Sequence, residues 1–178
     1  MNTVELSTLL SNHPCTQNAF VGVVAVDKLP KRIYHYPALL IVNTDCASEP
    51  GSHWVCLYLG GDWGYFFDSY GCEPSFWDDQ LDQFMCNQTN CAFSWNTKTL
   101  QSLHSDTCGE WCLLAADRLC RQEPTTNAEV MNFPLMNNSE LCLWVDSHFM
   151  VKKFGLILQN CDIDQSCSCM KHNLQIKC

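Results

Sequence analysis

No stretch of this sequence approaches the roughly 20 consecutive apolar residues that a membrane-spanning helix needs. The longest apolar runs, such as Phe20 to Val26 and Ala38 to Val42, are far shorter. Met1 to Glu5 carries neither a basic n-region nor an apolar h-region, which predicts no secretory leader at this end. Positive charge is also scarce. Ten Lys and Arg stand against nineteen Asp and Glu, for a formal charge of −9 and a pI near 4.9. A chain so acidic repels nucleic acid unless its basic residues cluster. Lys28, Lys31 and Arg32, and then Lys152 and Lys153, form no long basic tract, so they read as solvated surface charge. Repeats, low-complexity blocks and Pro/Ser-rich linkers are absent too, which argues for one domain.

Cysteine, by contrast, is abundant, with 14 in 178 residues. In a secreted miniprotein that would mean a disulfide scaffold. Here 47% of residues are apolar, and the chain is long enough to bury a core without staples. Reduced thiols, one of them chemically special, are the expectation. The sequons at Asn87 and Asn137 carry no weight without export.

The spacing predicts a short helix over 4–10 and strands over 20–26 and 38–42. His53 to Leu59 and Gly64 to Ser69 read as a hairpin turning near Gly60-Gly61. A helix over 75–85, a short strand over 92–95 and a polar loop over 101–107 follow. Next comes a helix over 108–120 whose small residues Ala115 and Ala116 let it sit close to a sheet. Another helix is expected over 139–149. Strands first and helices later predict an α+β fold with an antiparallel or mixed sheet. The domain is expected over 1–160, with a polar, Cys-rich tail over 161–178.

A thiol nucleophile needs a lowered pKa, a base, a group to orient that base and an oxyanion donor. Cys108 opens a predicted helix, whose free amides and dipole favour a thiolate, and Gly109 behind it lets a substrate backbone approach. Asp106 and Glu110 oppose this by raising a nearby thiol pKa. His53 starts one hairpin strand and Asp68 ends the other, so one sheet edge can bring imidazole and carboxylate together. His104 is the rival base, but no carboxylate pattern holds it. Gln101 can offer a neutral amide donor. Taken singly, each of these residues reads equally well as core or surface.

In order, His53-Trp54, Phe67-Asp68-Ser69-Tyr70-Gly71, Gln101 and Cys108-Gly109 resemble the adenovirus maturation protease family, the adenains. Their clan includes the proteases that deconjugate SUMO and related proteins. The Gln101 to Cys108 separation and the segments Ala38 to Thr44 and Cys15 to Pro30 are similar to the viral branch. The likeness covers roughly residues 10 to 120. It implies a permuted papain-like fold, a central mixed sheet with the nucleophile on a packed helix. It also implies a virus-encoded cysteine endopeptidase that cleaves precursor structural proteins during virion maturation, in the virion and the host nucleus. Cys108 is then the nucleophile, His53 the base, Asp68 its orienter and Gln101 the oxyanion donor, with Trp54 and Gly109 lining the substrate channel. Trp54 and Trp111 near the thiol would make that channel narrow and select Gly beside the cut.

Adenains also bind a short viral peptide through a disulfide, and Cys91 lies one residue off the matching position. An activating peptide at Cys91 is thus one implied partner. The acidic charge argues against DNA as another. No metal takes part in the implied chemistry. For the tail thiols Cys161, Cys167, Cys169 and Cys178 with His172, a zinc site, loose thiols and later disulfides stay open. The alternatives are a deconjugating protease for SUMO- or ubiquitin-like proteins, which would share this site and differ in substrate, and a catalytically idle Cys-rich binding module.

Overall fold

The computed structural model describes residues 1–121 and 133–150. The domain boundary expected at 160 and the Cys-rich tail with its zinc alternative lie outside the described residues.

Helix α1 (Thr3–Asn12) opens with a capping box: Asn2 accepts from the Glu5 N–H, and Glu5 accepts from the Asn2 N–H. It exceeds the expected 4–10 by about one residue at the front and two at the back. Strands β1 (Phe20–Ala25), β2 (Ala38–Asn43), β3 (Trp54–Leu59) and β4 (Gly64–Phe67) follow. Val26 leaves β1 for a single 3₁₀ turn over Val26–Lys28. β3 and β4 form the expected hairpin, with Gly61 at φ 105° in its turn.

The expected helix over 75–85 is two helices, α2 (Pro74–Trp77) and α3 (Asp79–Thr89). Asp78 between them is extended and caps α3 by accepting from the Gln80 N–H. β5 (Phe93–Trp95) completes the sheet. Helix α4 (Cys108–Arg121) begins at Cys108, and α5 (Asn138–Val145) runs on into a π turn over Asp146–Met150.

The five strands lie in the order β1-β2-β3-β4-β5, with β1–β2 and β4–β5 parallel and the inner pairs antiparallel. The mixed α+β architecture follows from that order. Alternation along each strand feeds two cores. Leu39, Ile41, Cys56, Tyr58, Tyr65 and Phe67 face α1, α4 and α5, where Trp111, Leu114 and Ala115 meet them. Leu40, Val42, Val55, Leu57 and Phe66 face the other way, toward Leu81, Phe84 and Met85 of α3. A sheet covered on both faces explains why these strands read as unbroken apolar runs. Among the described residues no helix is long and apolar enough to cross a membrane.

Candidate active site

Three chain elements converge at one end of the sheet. His53 immediately precedes β3 and Asp68 immediately follows β4. In the antiparallel register Cys56 lies opposite Phe67, so the residues just beyond these ends share an edge. Helix α4 packs on β3 and delivers Cys108 to the same edge. Gln101 comes in on the loop ahead of α4, where its N–H and that of Leu100 bond the Ser69 carbonyl. His53, Gln101 and Cys108 line one cleft of about 950 Å³.

The Nε2–H of His53 donates to Asp68 Oδ1 at 2.7 Å, with both side chains 4% exposed or less. Nδ1 is thereby left for the thiol, and His53 and Cys108 are hydrogen-bonded to each other. The carboxylate of Asp68 is fully used. Oδ1 also accepts from the Tyr70 N–H at 3.1 Å, and Oδ2 accepts from the Cys72 N–H at 2.9 Å and Trp77 Nε1 at 3.1 Å. Asn96 holds the backbone of Asp68, accepting from its N–H and donating to its carbonyl. Trp77 stacks on the imidazole at 4.5 Å between centroids, and Tyr70 tilts against it at 4.9 Å.

These contacts set the ionisation. Burial pulls the His53 pKa down, but the hydrogen bonds to Asp68 and Cys108 and their charges raise it to about 9. Burial pushes the Cys108 thiol up. The His53 hydrogen bond, the Trp54 and Gly109 N–H groups and the His53 charge outweigh burial, and the thiol ends below its ordinary value. Burial likewise raises Asp68, and the hydrogen bonds from His53, Tyr70 and Cys72 more than reverse it. The three shifts point the same way, each favouring the charged form of its group. Every other described cysteine with a displaced pKa moves upward, namely Cys46, Cys56, Cys72, Cys86, Cys112, Cys120 and Cys142. Burial or neighbouring acceptors and carboxylates raise them, and none has an imidazolium partner.

The remaining expected residues fall in different places. Trp54 lines the cleft and donates its indole N–H to the Met1 carbonyl at 3.2 Å. Gly109 is buried and faces Met1: a Cβ there would lie 2.9 Å from Met1 Cβ. Its lack of a side chain admits Met1, and does not open the cleft. Trp111, expected beside the channel, is fully buried in the α4 core and narrows nothing. It packs instead among the side chains between α4 and the sheet, such as Leu39, Ile41 and Cys56. Gln101 Oε1 accepts from Ser69 at 2.6 Å, and Nε2 donates to the Ser105 carbonyl at 2.7 Å, leaving its second N–H for the cleft. Cys91 is exposed beyond the C-terminus of α3, outside the cleft lining. His104 has no part in the cleft. Residues that sequence reasoning missed are Trp77, Tyr70, Asn96 and Ser69. Trp77 sat unread inside one apparent helix, and Tyr70 only in a motif string.

No protein-family model and no curated protein matches the chain. Among solved structures, the ASFV pS273R protease is similar in fold, with a TM-score of 0.53 at 14% identity. The match covers 83% of this chain, which spans 66% of the length of that protease. The central domain of the Legionella pneumophila protein Lpg1148 overlaps 89% of this chain and 97% of its own at 18% identity, but its TM-score of 0.43 supports no conclusion. The mixed α+β fold is therefore one that a viral protease also adopts.

Proposed function

We propose that this chain is a virus-encoded cysteine endopeptidase with a permuted papain-like site. The observation that carries the reading is the buried chain of hydrogen bonds from Asp68 through His53 to Cys108, with Gln101 in the same cleft, and the shifts of the pair agree with it. Cys108 moves down and His53 up, while seven other thiols move away from reactivity. An idle binding module has no need to hold a thiolate against burial.

In this reading the Cys108 thiolate attacks the scissile carbonyl carbon. The free N–H of Gln101 Nε2 and the backbone N–H of Cys108, an open amide at the start of α4, receive the oxyanion. The His53 imidazolium gives its Nδ1 proton to the leaving amine as the tetrahedral species collapses to an acyl-enzyme. His53, then neutral, takes a proton from water for deacylation. Asp68 holds the ring by Nε2 throughout and stabilises each imidazolium.

The substrates are viral precursor proteins cut during particle maturation, in the virion and the host nucleus. Aromatic rings of Trp54, Tyr70 and Trp77 border the cleft near the thiol, which favours Gly beside the cut even without Trp111. An activating viral peptide would join at the exposed Cys91 through a disulfide. β5 leads from there to Asn96, whose side chain grips Asp68, and so supplies a physical route to the site. The net charge of −9 disfavours DNA as an activator.

The second reading, a deconjugating protease, shares the resemblance and the site and differs in substrate. Two probes separate them: a ubiquitin-like protein with a C-terminal electrophile, and a library of Gly-containing peptides. Rapid peptide cleavage without labelling by the protein probe is expected. Stoichiometric labelling by the protein probe with no peptide cleavage refutes the endopeptidase reading.

A further inference from the structure

A second cluster of reactive side chains lies at the opposite end of α4. His13 is the C-cap of α1, and Cys15 follows two residues on, in the turn that leads to β1. Asp117 and Cys120 are three apart in the last turns of α4, hence on one side of that helix. His13 and Asp117 are buried, at 7% and 3% exposure, and Cys15 and Cys120 are half-buried. The ligand atoms of His13, Cys15 and Asp117 lie within 4.8 Å of one another, and His13 Nδ1 is 3.8 Å from Asp117 Oδ1. Cys120 is within electrostatic reach of both Asp117 and Cys15.

We propose that His13, Cys15, Asp117 and Cys120 form a tetrahedral site for a zinc-class divalent cation. The pattern His-x-Cys from a turn and Asp-x-x-Cys from a helix supplies two donors from each of two elements. Zinc bonds of roughly 2.0–2.3 Å place tetrahedral donors about 3.3–3.8 Å apart, so a contraction of about 1 Å closes the His13, Cys15 and Asp117 donors, and Cys120 comes in from just outside them as the fourth. Two thiolates with one imidazole select Zn²⁺ or Co²⁺ over the oxygen-preferring Ca²⁺ and Mg²⁺. Charge also balances. Arg121 Nε donates to both carboxylate oxygens of Asp117, at 2.7 and 2.8 Å. Two thiolates and one carboxylate are matched by the dication together with this guanidinium, which orients the ligand from outside. Binding releases the two thiol protons.

The site takes no part in the reaction. It ties the end of α1 to the end of α4. At the other end of this helix pair, Met1 rests on Gly109 beside Cys108. The metal would fix the helix that presents the nucleophile.

The test is anaerobic titration of the reduced, full-length protein with Co²⁺. One equivalent should give thiolate-to-cobalt charge-transfer bands and tetrahedral d–d absorption, both abolished by Zn²⁺. Cys15→Ser and Cys120→Ser should each weaken that binding by roughly 100-fold or more while far-UV circular dichroism stays unchanged. A Cys167→Ser/Cys169→Ser variant should keep it. Wild-type protein without tetrahedral bands overturns the proposal. So do bands that survive in either Cys15→Ser or Cys120→Ser, or that vanish in the tail variant.

Discussion

Replacing Asp68 by Asn tests the electrostatics at its root. The four donors on Asp68 are His53 Nε2 and Tyr70 N on Oδ1, and Cys72 N and Trp77 Nε1 on Oδ2. Whichever way an amide turns, its NH₂ meets two donors and leaves them unpaired. An unsatisfied buried polar group costs about 1–3 kcal/mol, so with two donors unpaired the variant should be less stable by roughly 2–6 kcal/mol. The chemical effect is separate. His53 rises from 6.5 to about 9 although burial alone would lower it. Without the Asp68 charge, burial is opposed by Cys108 alone, and much of that rise is lost. At about 1.4 kcal/mol per pKa unit, loss of the whole rise weakens the ion pair by about 3 kcal/mol, and the thiolate share of Cys108 falls with it. The assay is the rate of Cys108 alkylation by iodoacetamide against pH, read by mass spectrometry. In wild type the rate should stay high well below the ordinary thiol range. In Asp68→Asn its midpoint should move up toward 9. An unchanged alkylation profile in a folded Asp68→Asn variant would refute the reasoning.

Other outcomes follow from the same geometry. Peptidase activity should be bell-shaped in pH, rising as the Cys108–His53 pair gains its thiolate and falling as the imidazolium is lost near 9, values that belong to the pair. In stability, His53 contributes fully below about 6.5 and less as pH rises through 9, which thermal melts across that range should register. Trp77→Phe keeps a ring on His53 but removes a hydrogen bond to Asp68 Oδ2. It should cost about 1 kcal/mol, roughly 5-fold in kcat/KM. Gln101→Ala should lower kcat by roughly 10²- to 10³-fold with KM little changed, and a rise in KM alone would make it a substrate contact instead.

The layout of the fold was largely legible because a doubly covered sheet writes itself as apolar runs. Ala38 to Asn43 and Trp54 to Leu59 needed no tertiary information. Legibility failed at Asp78, where one extended residue between two helices breaks a pattern that periodicity alone continues. At the site, the order of His53, Asp68, Gln101 and Cys108 along the chain marked residues that the fold gathers at one edge. Their support was not legible. Trp77 matters because α2 lays it on an imidazole 24 residues earlier, and Asn96 because β5 ends beside Asp68. Gly109 and Trp111 were misplaced because what covers them, Met1 over the one and the core between α4 and the sheet over the other, is tertiary contact that sequence spacing leaves open.

The most direct measurement of the central claim is a search for the covalent intermediate. Wild-type protein is mixed with an activated ester of a short Gly-containing peptide, quenched in acid within milliseconds to seconds, and weighed intact before peptide mapping. One acyl group per chain is expected, carried by Cys108, absent in Cys108→Ala and strongly reduced in His53→Ala. Turnover of the ester that persists in Cys108→Ala, or an acyl group spread over several cysteines in the wild type, would contradict it.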